Sequence, residues 1–291
     1  MQQPATSDTQ QSRLQQKLEH LQHMLNGFER VIVAFSGGVD STLLAKMARD
    51  VLGKENVLAV TADSPSLARE DLHDAQRLAE QLDLAHRIIH TNEVEQPSYR
   101  LNTKARCYFC KQELFQELEE LAQREHMLFV LYGAIGDDQL TERPGQRAAR
   151  ERGVRAPLQE MGLTKWEVRE LAKALGLPNW NRPQNACLSS RIPHGERVTE
   201  EKLQQVEAAE TFLHAQGFRQ VRVRHLGHHA RIEVGQEDVA RFRDALLCGE
   251  VVKRFEELGF ETVAVDRSGY RPGGANRAMV DEVMLHAIAK C

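Results

Sequence analysis

Two cysteines in the sequence RCYFCK, Cys107 and Cys110, stand three positions apart in a chain that has five cysteines. This CxxC spacing suits a redox disulfide, half of a zinc site or part of an iron–sulfur site. A structural zinc site requires four ligands, and the sequence contains no second CxxC pair. An odd number of cysteines is poor material for a framework of structural disulfides, so metal or redox chemistry is the better interpretation of the pair.

A glycine-rich loop, SGGVDST, occupies residues 36–42 between a predicted strand and a predicted helix. Gly37 and Gly38 permit a tight turn that brings backbone N–H groups close to an anion, and the following helix presents its positive end to phosphate. A carboxylate in the loop also suits a polyphosphate that carries Mg²⁺. A glycine-rich turn without a ligand is the alternative. The predicted polyphosphate-binding residues are Ser36, Gly37, Gly38, Asp40, Ser41 and Thr42.

This loop resembles the SGGxDS loop of the PP-loop ATP pyrophosphatases. The resemblance implies that ATP binds with Mg²⁺, that the loop holds the pyrophosphate leaving group, and that AMP is transferred to an acyl or carbonyl oxygen. It also implies that the end of the second strand flanks the adenosine, which makes Asp63 and Ser64 candidates for nucleotide binding. Asp63 has a second interpretation, as the cap of the next helix.

Short apolar runs alternate with amphipathic segments over the first two thirds of the chain. This alternation predicts a parallel, doubly wound α/β sheet with helices on both faces. Ligands of such sheets bind beyond the carboxyl ends of the strands, so Gly133 and Asp137, at the end of the fourth strand, are nucleotide or magnesium candidates. A plain loop turn is the alternative for Asp137. The predicted strands are 30–35, 56–61, 85–90 and 127–133, and the helices are 42–52, 67–82, 104–124 and 164–176.

The sequence predicts two domains after a short tail. Residues 1–11 are predicted to be a disordered tail, and 12–195 the larger α/β domain. Residues 196–291 predict a smaller α+β domain for substrate binding or oligomerisation. Its predicted elements are a helix at 200–216, a hairpin formed by QVRVRH and HARIEV, a helix at 246–258, a strand at 261–266 and a closing helix.

The composition excludes several classes of protein. The 291 residues are 41% apolar and 27% charged, which is typical of globular proteins and allows a sizeable core. A net charge of −4 argues against a general nucleic-acid binder. No run approaches the roughly 20 apolar residues that cross a bilayer, and the polar start has no signal-peptide pattern. We therefore expect a cytoplasmic protein without a membrane segment.

Three further segments narrow the resemblance: YGAIGDDQLTERPGQRAARERGVRAPLQEMG, NRPQNACLSSRIPHGERVT and VRVRHLGHHARIEV. They resemble the LarE-type sulfur transferases of nickel-pincer cofactor synthesis. The resemblance implies that ATP adenylates a carboxylate of pyridinium-3,5-biscarboxylic acid mononucleotide and that sulfur then displaces AMP. It also implies a homo-oligomer and contacts with other proteins of nickel-pincer synthesis. By position, Cys187 is the cysteine that in one branch of the family gives up its own sulfur.

The CxxC pair departs from that single-cysteine branch. It resembles instead the branch in which three cysteines hold a [4Fe–4S] cluster, which implies Cys107, Cys110 and Cys187 as both cluster ligands and catalytic residues. Three thiolates leave one iron free to carry a hydrosulfide. The alternatives that stay open are sacrifice of Cys187 alone, a redox or persulfide-carrying pair, a zinc site completed by a histidine such as His126, and two core thiols without a function.

An anionic substrate requires a cationic pocket. Arg222 and Arg224 alternate with valines, so both point to one face of a predicted strand, and guanidinium groups suit phosphate and carboxylate. A solvated strand face is the alternative. The predicted substrate-binding residues are Ser190, Arg191, Arg222, Arg224, Glu233 and Asp266, the last two on the family resemblance alone.

Two other functions remain compatible with the sequence. Several PP-loop enzymes thiolate tRNA, but the acidic net charge and the lack of a zinc ribbon argue against stable nucleic-acid binding. The alternative that is not an enzyme is a module that senses a nucleotide or carries sulfur without turnover.

Overall fold

Strands and helices alternate along most of the chain, as the apolar periodicity predicts. The computed structural model describes residues 7–140, 144–271, 276 and 282–285. The strands are β1 (Val31–Ala34), β2 (Val57–Asp63), β3 (Ala85–His90), β4 (Phe129–Tyr132), β5 (Val221–Leu226), β6 (His229–Val234), β7 (Thr262–Asp266) and β8 (Glu282–Met284). The helices are α1 (Ser7–Asn26), α2 (Val39–Leu52), α3 (Arg69–Gln81), α4 (Pro97–Arg100), α5 (Arg106–Arg124), α6 (Pro144–Glu151), α7 (Pro157–Glu160), α8 (Lys165–Ala174), α9 (Glu200–Ala215) and α10 (Ala245–Glu257).

The chain divides into two compact units. The described residues of Met1–Glu93 and Cys107–Asn185 form the first unit, and those of Val94–Arg106 and Ala186–Cys291 form the second. Across the described ranges, no helix combines the length and the apolar character that a membrane span requires.

The first unit contains a four-stranded parallel sheet in the order β3-β2-β1-β4. Ala34 at the end of β1 pairs with Val60 of β2 and with Tyr132 of β4. The carboxyl ends of the strands therefore meet at one edge of the sheet, where ligands of open α/β sheets bind.

Alternate side chains of β1 supply two separate cores. Val31 and Val33 belong to a core that also contains Leu43 of α2, whereas Ile32 packs on the opposite face with Phe115 of α5. Because successive side chains of a strand point to opposite faces, a run of apolar residues is buried on both sides. This arrangement confirms the predicted doubly wound α/β fold.

The second unit has a mixed sheet in the order β5-β6-β7-β8. β5 and β6 form the predicted antiparallel hairpin, whose turn contains Gly227 at a φ of 69°, a conformation that glycine adopts readily. β7 lies parallel to β6. Buried aromatic and aliphatic side chains from α9, α10 and the strands fill its core.

Three features differ from the sequence-based description. α1 begins at Ser7, inside the predicted tail, because its glutamine-rich first turns are compatible with a helix; residues 1–6 lie outside the described residues. The closing helix falls largely outside them as well. Among the described residues after β7, Glu282–Met284 form a strand, β8, which pairs with β7.

The third difference concerns the predicted boundary near residue 195. The second unit begins at Ala186 and also takes in Val94–Arg106. The side-chain amide of Asn102 in that segment donates to the carbonyl oxygens of Pro193 and Glu196, at 2.7 and 2.9 Å. These contacts join residues more than 90 positions apart in the chain, which periodicity cannot reveal.

Candidate active site

The phosphate loop lies between β1 and α2, as the sequence predicts. Gly37 has a φ of 68°, and Gly38 caps the first turn of α2. The Ser41 hydroxyl donates to the carbonyl of Gly38 at 3.1 Å and accepts from the backbone N–H of Ser36 at 3.2 Å. The loop is therefore organised by its own hydroxyl groups before any ligand arrives.

Gly133, directly after β4, approaches this loop closely. A Cβ atom at this position would lie 2.8 Å from the backbone nitrogen of Ser41. Real Cβ atoms do not approach a backbone nitrogen that closely, so only glycine fits here without displacing the start of α2. This close approach explains why the position requires glycine, and the role of Gly133 at the nucleotide site stays a prediction.

A lysine that the sequence analysis did not single out joins two predicted residues. The Lys165 ammonium lies 2.8 Å from Oδ1 of Asp40, and its backbone N–H donates to Oδ2 of Asp137 at 2.7 Å. Burial raises the pKa of the Asp40 carboxyl, and the Lys165 ammonium opposes this effect. Asp137 thus holds the N-terminus of α8, which starts with a capping box formed by Thr164 and Glu167.

The end of β2 is held by polar contacts. Asp63 forms an ion pair with Arg69, with N–O distance 2.6 Å, so it contacts the first residue of the helix it was alternatively predicted to cap. The hydroxyl of Ser64 lies 3.2 Å from that of Ser66, and Ser66 in turn donates to the buried carboxylate of Glu93. These contacts fix the position of Ser64 at the carboxyl edge of the sheet.

Thr42 lies beneath the loop. Its side chain is fully buried, and its hydroxyl accepts a hydrogen bond of 3.0 Å from the side-chain amide of Asn179. In this conformation Thr42 supports the loop from below, which differs from the predicted direct contact with ATP. The difference arises because the first turn of α2 points Thr42 into the core.

Cys107 and Cys110 lie one helical turn apart at the start of α5, with Cys107 exposed and Cys110 partly exposed. Tyr108 between them donates to Glu151 at 2.6 Å, and the guanidinium carbon of Arg147 lies 4.2 Å from the centre of its ring. Two accessible sulfurs thus share one helical turn beside α6. Across the described ranges, no three Cys, His, Asp or Glu side chains are grouped as metal ligands.

Cys187, in the second unit, is exposed and directly precedes a turn of 3₁₀ helix, Leu188–Arg191. Arg191 is 1% exposed and forms an ion pair of 2.8 Å with Glu210. Its guanidinium also donates to the carbonyl oxygens of Ala186 and Cys187, and to the Ser190 hydroxyl at 3.1 Å. Arg191 therefore orders the backbone that carries the thiol.

The predicted arginines of β5 are buried, so the solvated-face alternative is wrong. Arg224 pairs with Glu233 at 2.6 Å, and Glu233 lies 3.5 Å from Arg231. Arg222 lies over the ring of Tyr270, 5.3 Å from its centre. Burial, and next the nearby charge of Arg191, lowers the pKa of Arg222. Binding of an anion would stabilise a buried guanidinium in this position by pairing its charge.

Asp266 ends β7, as predicted. One carboxylate oxygen accepts from the backbone N–H of Ser268 at 2.8 Å, and the other lies 3.9 Å from Arg271. Asp266 thus closes the turn after the strand and keeps one oxygen beside a cationic side chain.

Comparison with known proteins identifies the family. The chain is 40% identical over 253 residues to the pyridinium-3,5-bisthiocarboxylic acid mononucleotide synthase of Lactiplantibacillus plantarum, across 87% of this chain and 91% of that protein. The chain belongs to the LarE family. An uncharacterised protein of Synechocystis sp. is similarly related, with 47% identity over 266 residues, which cover 91% of this chain and 99% of that protein.

Part of this chain is also similar to NAD synthases. The family model for NAD synthase matches residues 12–140, which contain the phosphate loop. The glutamine-dependent NAD(+) synthetase of Thermotoga maritima is 45% identical over 69 residues, or 24% of this chain and 12% of that protein. This likeness is confined to part of the chain, whereas the LarE likeness spans most of it.

In this LarE-family protein, Glu233→Gln is expected to destabilise the second unit by about 3–5 kcal/mol. The substitution removes a 2% exposed carboxylate side chain and leaves Arg224 and Arg231 without its charge. Chemical denaturation of the full-length protein measures the change in the free energy of unfolding. Glu261→Gln is the matched control, since Glu261 meets His228 at the surface and its loss should cost less than about 0.5 kcal/mol. Equal effects of the two substitutions would contradict the stabilising role of the buried Glu233 carboxylate.

Proposed function

We propose that this protein converts a carboxylate of pyridinium-3,5-biscarboxylic acid mononucleotide into a thiocarboxylate at the expense of ATP. A carboxylate oxygen attacks the α-phosphorus of ATP, the bond to the β-phosphate breaks, and pyrophosphate leaves. A sulfur nucleophile then attacks the acyl carbon, and AMP departs with the former carboxylate oxygen. The observation that carries the proposal is a preorganised phosphate loop in a chain 40% identical to the named synthase.

The residues of the first unit suit the adenylation step. The backbone N–H groups of the loop and the hydroxyls of Ser36 and Ser41 are proposed to hold the pyrophosphate, with the positive end of α2 behind them. Asp40 and Asp137 are proposed to bind Mg²⁺, and Lys165 is a cation that already lies beside Asp40. Asp63 and Ser64, at the end of β2, are proposed to flank the adenosine.

The residues of the second unit suit an anionic substrate. We propose that Arg222 and Arg224 bind its phosphate or carboxylate groups, aided by Ser190 and Arg191. Glu233 keeps Arg224 oriented through their ion pair. Asp266 is proposed to position a neighbouring cationic group. The exposed thiol of Cys187 supplies or carries the sulfur, since a thiolate is the nucleophile suited to an acyl adenylate.

We further propose that Cys107, Cys110 and Cys187 hold a [4Fe–4S] cluster. Their chemistry fits the group, because all three thiols are accessible at least in part and two of them share a helical turn. When bound, the cluster would supply renewable sulfide. Anaerobic purification with iron and sulfide analysis, for the wild type and for Cys107→Ala, tests this part. A protein that stays free of iron after reconstitution would refute the cluster and favour sacrifice of Cys187.

Pyrophosphate release tests the enzyme proposal itself. We expect release that requires ATP, Mg²⁺ and the pyridinium dicarboxylate mononucleotide together. Release stimulated by tRNA instead, with tight and salt-sensitive binding, would indicate a tRNA thiolase. No release with any carboxylate would indicate a binding module. We also propose that the protein acts in the cytoplasm as a homo-oligomer, in contact with other proteins of nickel-pincer synthesis.

A further inference from the structure

The peptide that joins Gly37 and Gly38 determines what the phosphate loop presents to a ligand. A trans peptide is planar, so its carbonyl and its N–H point in opposite directions. If the Gly37 carbonyl points into the protein, the Gly38 N–H points toward the bound anion. A flipped peptide would present a carbonyl oxygen to phosphate and repel it. With glycine on both sides, no Cβ atom hinders such a flip.

A buried side chain from a distant part of the first unit holds this carbonyl. Asn179, which is 7% exposed, donates from Nδ2 to the carbonyl oxygen of Gly37 at 2.9 Å. The same amide nitrogen donates to the hydroxyl of Thr42 at 3.0 Å. Both hydrogens of the Asn179 amide are therefore directed at the phosphate loop. The Gly38 N–H itself makes a long contact of 3.4 Å with the Ser36 hydroxyl.

The side-chain oxygen of Asn179 indicates that the residue is present for the contacts that its Nδ2 makes with the loop. Within the described residues, Oδ1 of Asn179 is buried without a hydrogen-bond partner. An apolar side chain would avoid the cost of burying that oxygen, so packing alone does not explain an asparagine here.

Asn179 is supported by the segment that follows it. Arg182 forms ion pairs of 2.7 Å with both Asp71 and Asp74 of α3, and one of its nitrogens lies 3.5 Å from the Gly37 carbonyl. The segment is thereby fastened to α3, and the amide of Asn179 is held in place beside the loop.

We infer that Asn179 is a positioning residue for the phosphate loop: by holding the Gly37 carbonyl, it directs the Gly38 N–H toward the polyphosphate of ATP. The inference rests on the proposed use of ATP and deepens it. Loss of the anchor lets the Gly37–Gly38 peptide populate the flipped state. The apparent Kd for ATP then equals the intrinsic Kd divided by the fraction of molecules whose peptide is not flipped. Molecules that have bound ATP react normally.

Two substitutions at Asn179 test the inference in the full-length protein. Asn179→Asp keeps the size but places a carboxylate oxygen against the Gly37 carbonyl, and Asn179→Ala removes the side chain. Asn185→Ala is the matched control, because the exposed Asn185 lies in the same segment and bonds to Asp71. Binding of a non-hydrolysable ATP analogue with Mg²⁺ is measured by calorimetry, and pyrophosphate release is measured against ATP concentration.

We expect both Asn179 variants to bind the analogue about 10-fold to 100-fold more weakly. The KM for ATP should rise by the same factor, with kcat at saturating ATP and the KM for the dicarboxylate within about twofold of the wild type. Unchanged ATP affinity in both variants, or a lowered kcat with an unchanged KM for ATP, would overturn the inference. A wild type that binds the analogue but releases no pyrophosphate would overturn the proposed function and leave the binding comparison intact.

Discussion

Replacing Cys187 with alanine is expected to abolish thiocarboxylate formation while pyrophosphate release continues. In the proposed mechanism, adenylation uses the phosphate loop of the first unit, whereas the thiol acts only after the acyl adenylate has formed. Removing a nucleophile from such a step lowers its rate by at least about 1000-fold. Mass spectrometry of the pyridinium product and a pyrophosphate assay on the same sample separate the two steps.

Cys248→Ala is the matched control for this experiment. Cys248 is buried, its thiol donates to the carbonyl of Phe242 at 3.0 Å, and burial raises its pKa. A thiol in this environment is a poor nucleophile, so the variant should retain thiocarboxylate formation. Full product formation by Cys187→Ala would refute the role assigned to Cys187.

The same assay distinguishes the two proposed sources of sulfur. If a cluster is required, Cys107→Ala and Cys110→Ala lose the product as Cys187→Ala does. If Cys187 alone is sacrificed, those two variants keep one turnover, and the spent protein loses the mass of hydrogen sulfide at Cys187. The pattern across the three variants therefore decides between them.

Gly133→Ala is expected to lower the rate of pyrophosphate release by about 100-fold, since a displacement of about 1 Å at a reacting group has this effect. The added Cβ atom, 2.8 Å from the backbone nitrogen of Ser41, must move either the end of β4 or the first turn of α2. Either movement disturbs the N–H groups that are proposed to hold the pyrophosphate. Steady-state measurement of pyrophosphate release at saturating dicarboxylate tests this expectation.

Gly249→Ala provides the control for a glycine substitution. Gly249 lies within α10, and a Cβ atom there would meet nothing within 4 Å. Alanine favours a helix by up to about 1 kcal/mol over glycine, so this variant should be active and at least as stable as the wild type. Normal pyrophosphate release by Gly133→Ala would contradict the steric account of the loop.

Local patterns were sufficient to predict the fold of the first unit and the position of the phosphate loop. A run such as that of β1 is buried on both faces, and the glycines at 37 and 38 mark the turn that follows it. Both properties depend on neighbours in the sequence. The capping box at Thr164 was predictable for the same reason.

Features that depend on distant contacts could not be predicted. The alternation of valine and arginine in β5 is compatible with a solvated face or a pocket. The burial of Arg222 and the ion pair of Arg224 with Glu233 of β6 become visible only in the structure. Lys165 follows a helix cap, and nothing in the sequence indicates that it forms an ion pair with Asp40. Asn179 lies 142 positions from the carbonyl that it holds.

The most direct test of the account follows the carboxylate oxygen. The pyridinium dicarboxylate mononucleotide is prepared with a heavy oxygen isotope in its carboxylates and incubated with ATP, Mg²⁺ and the protein. Attack on the α-phosphorus transfers one labelled oxygen to AMP. Carboxylate adenylation therefore predicts labelled AMP in an amount equal to that of pyrophosphate and of thiocarboxylate. Unlabelled AMP, or label in inorganic phosphate beside ADP, would contradict carboxylate adenylation.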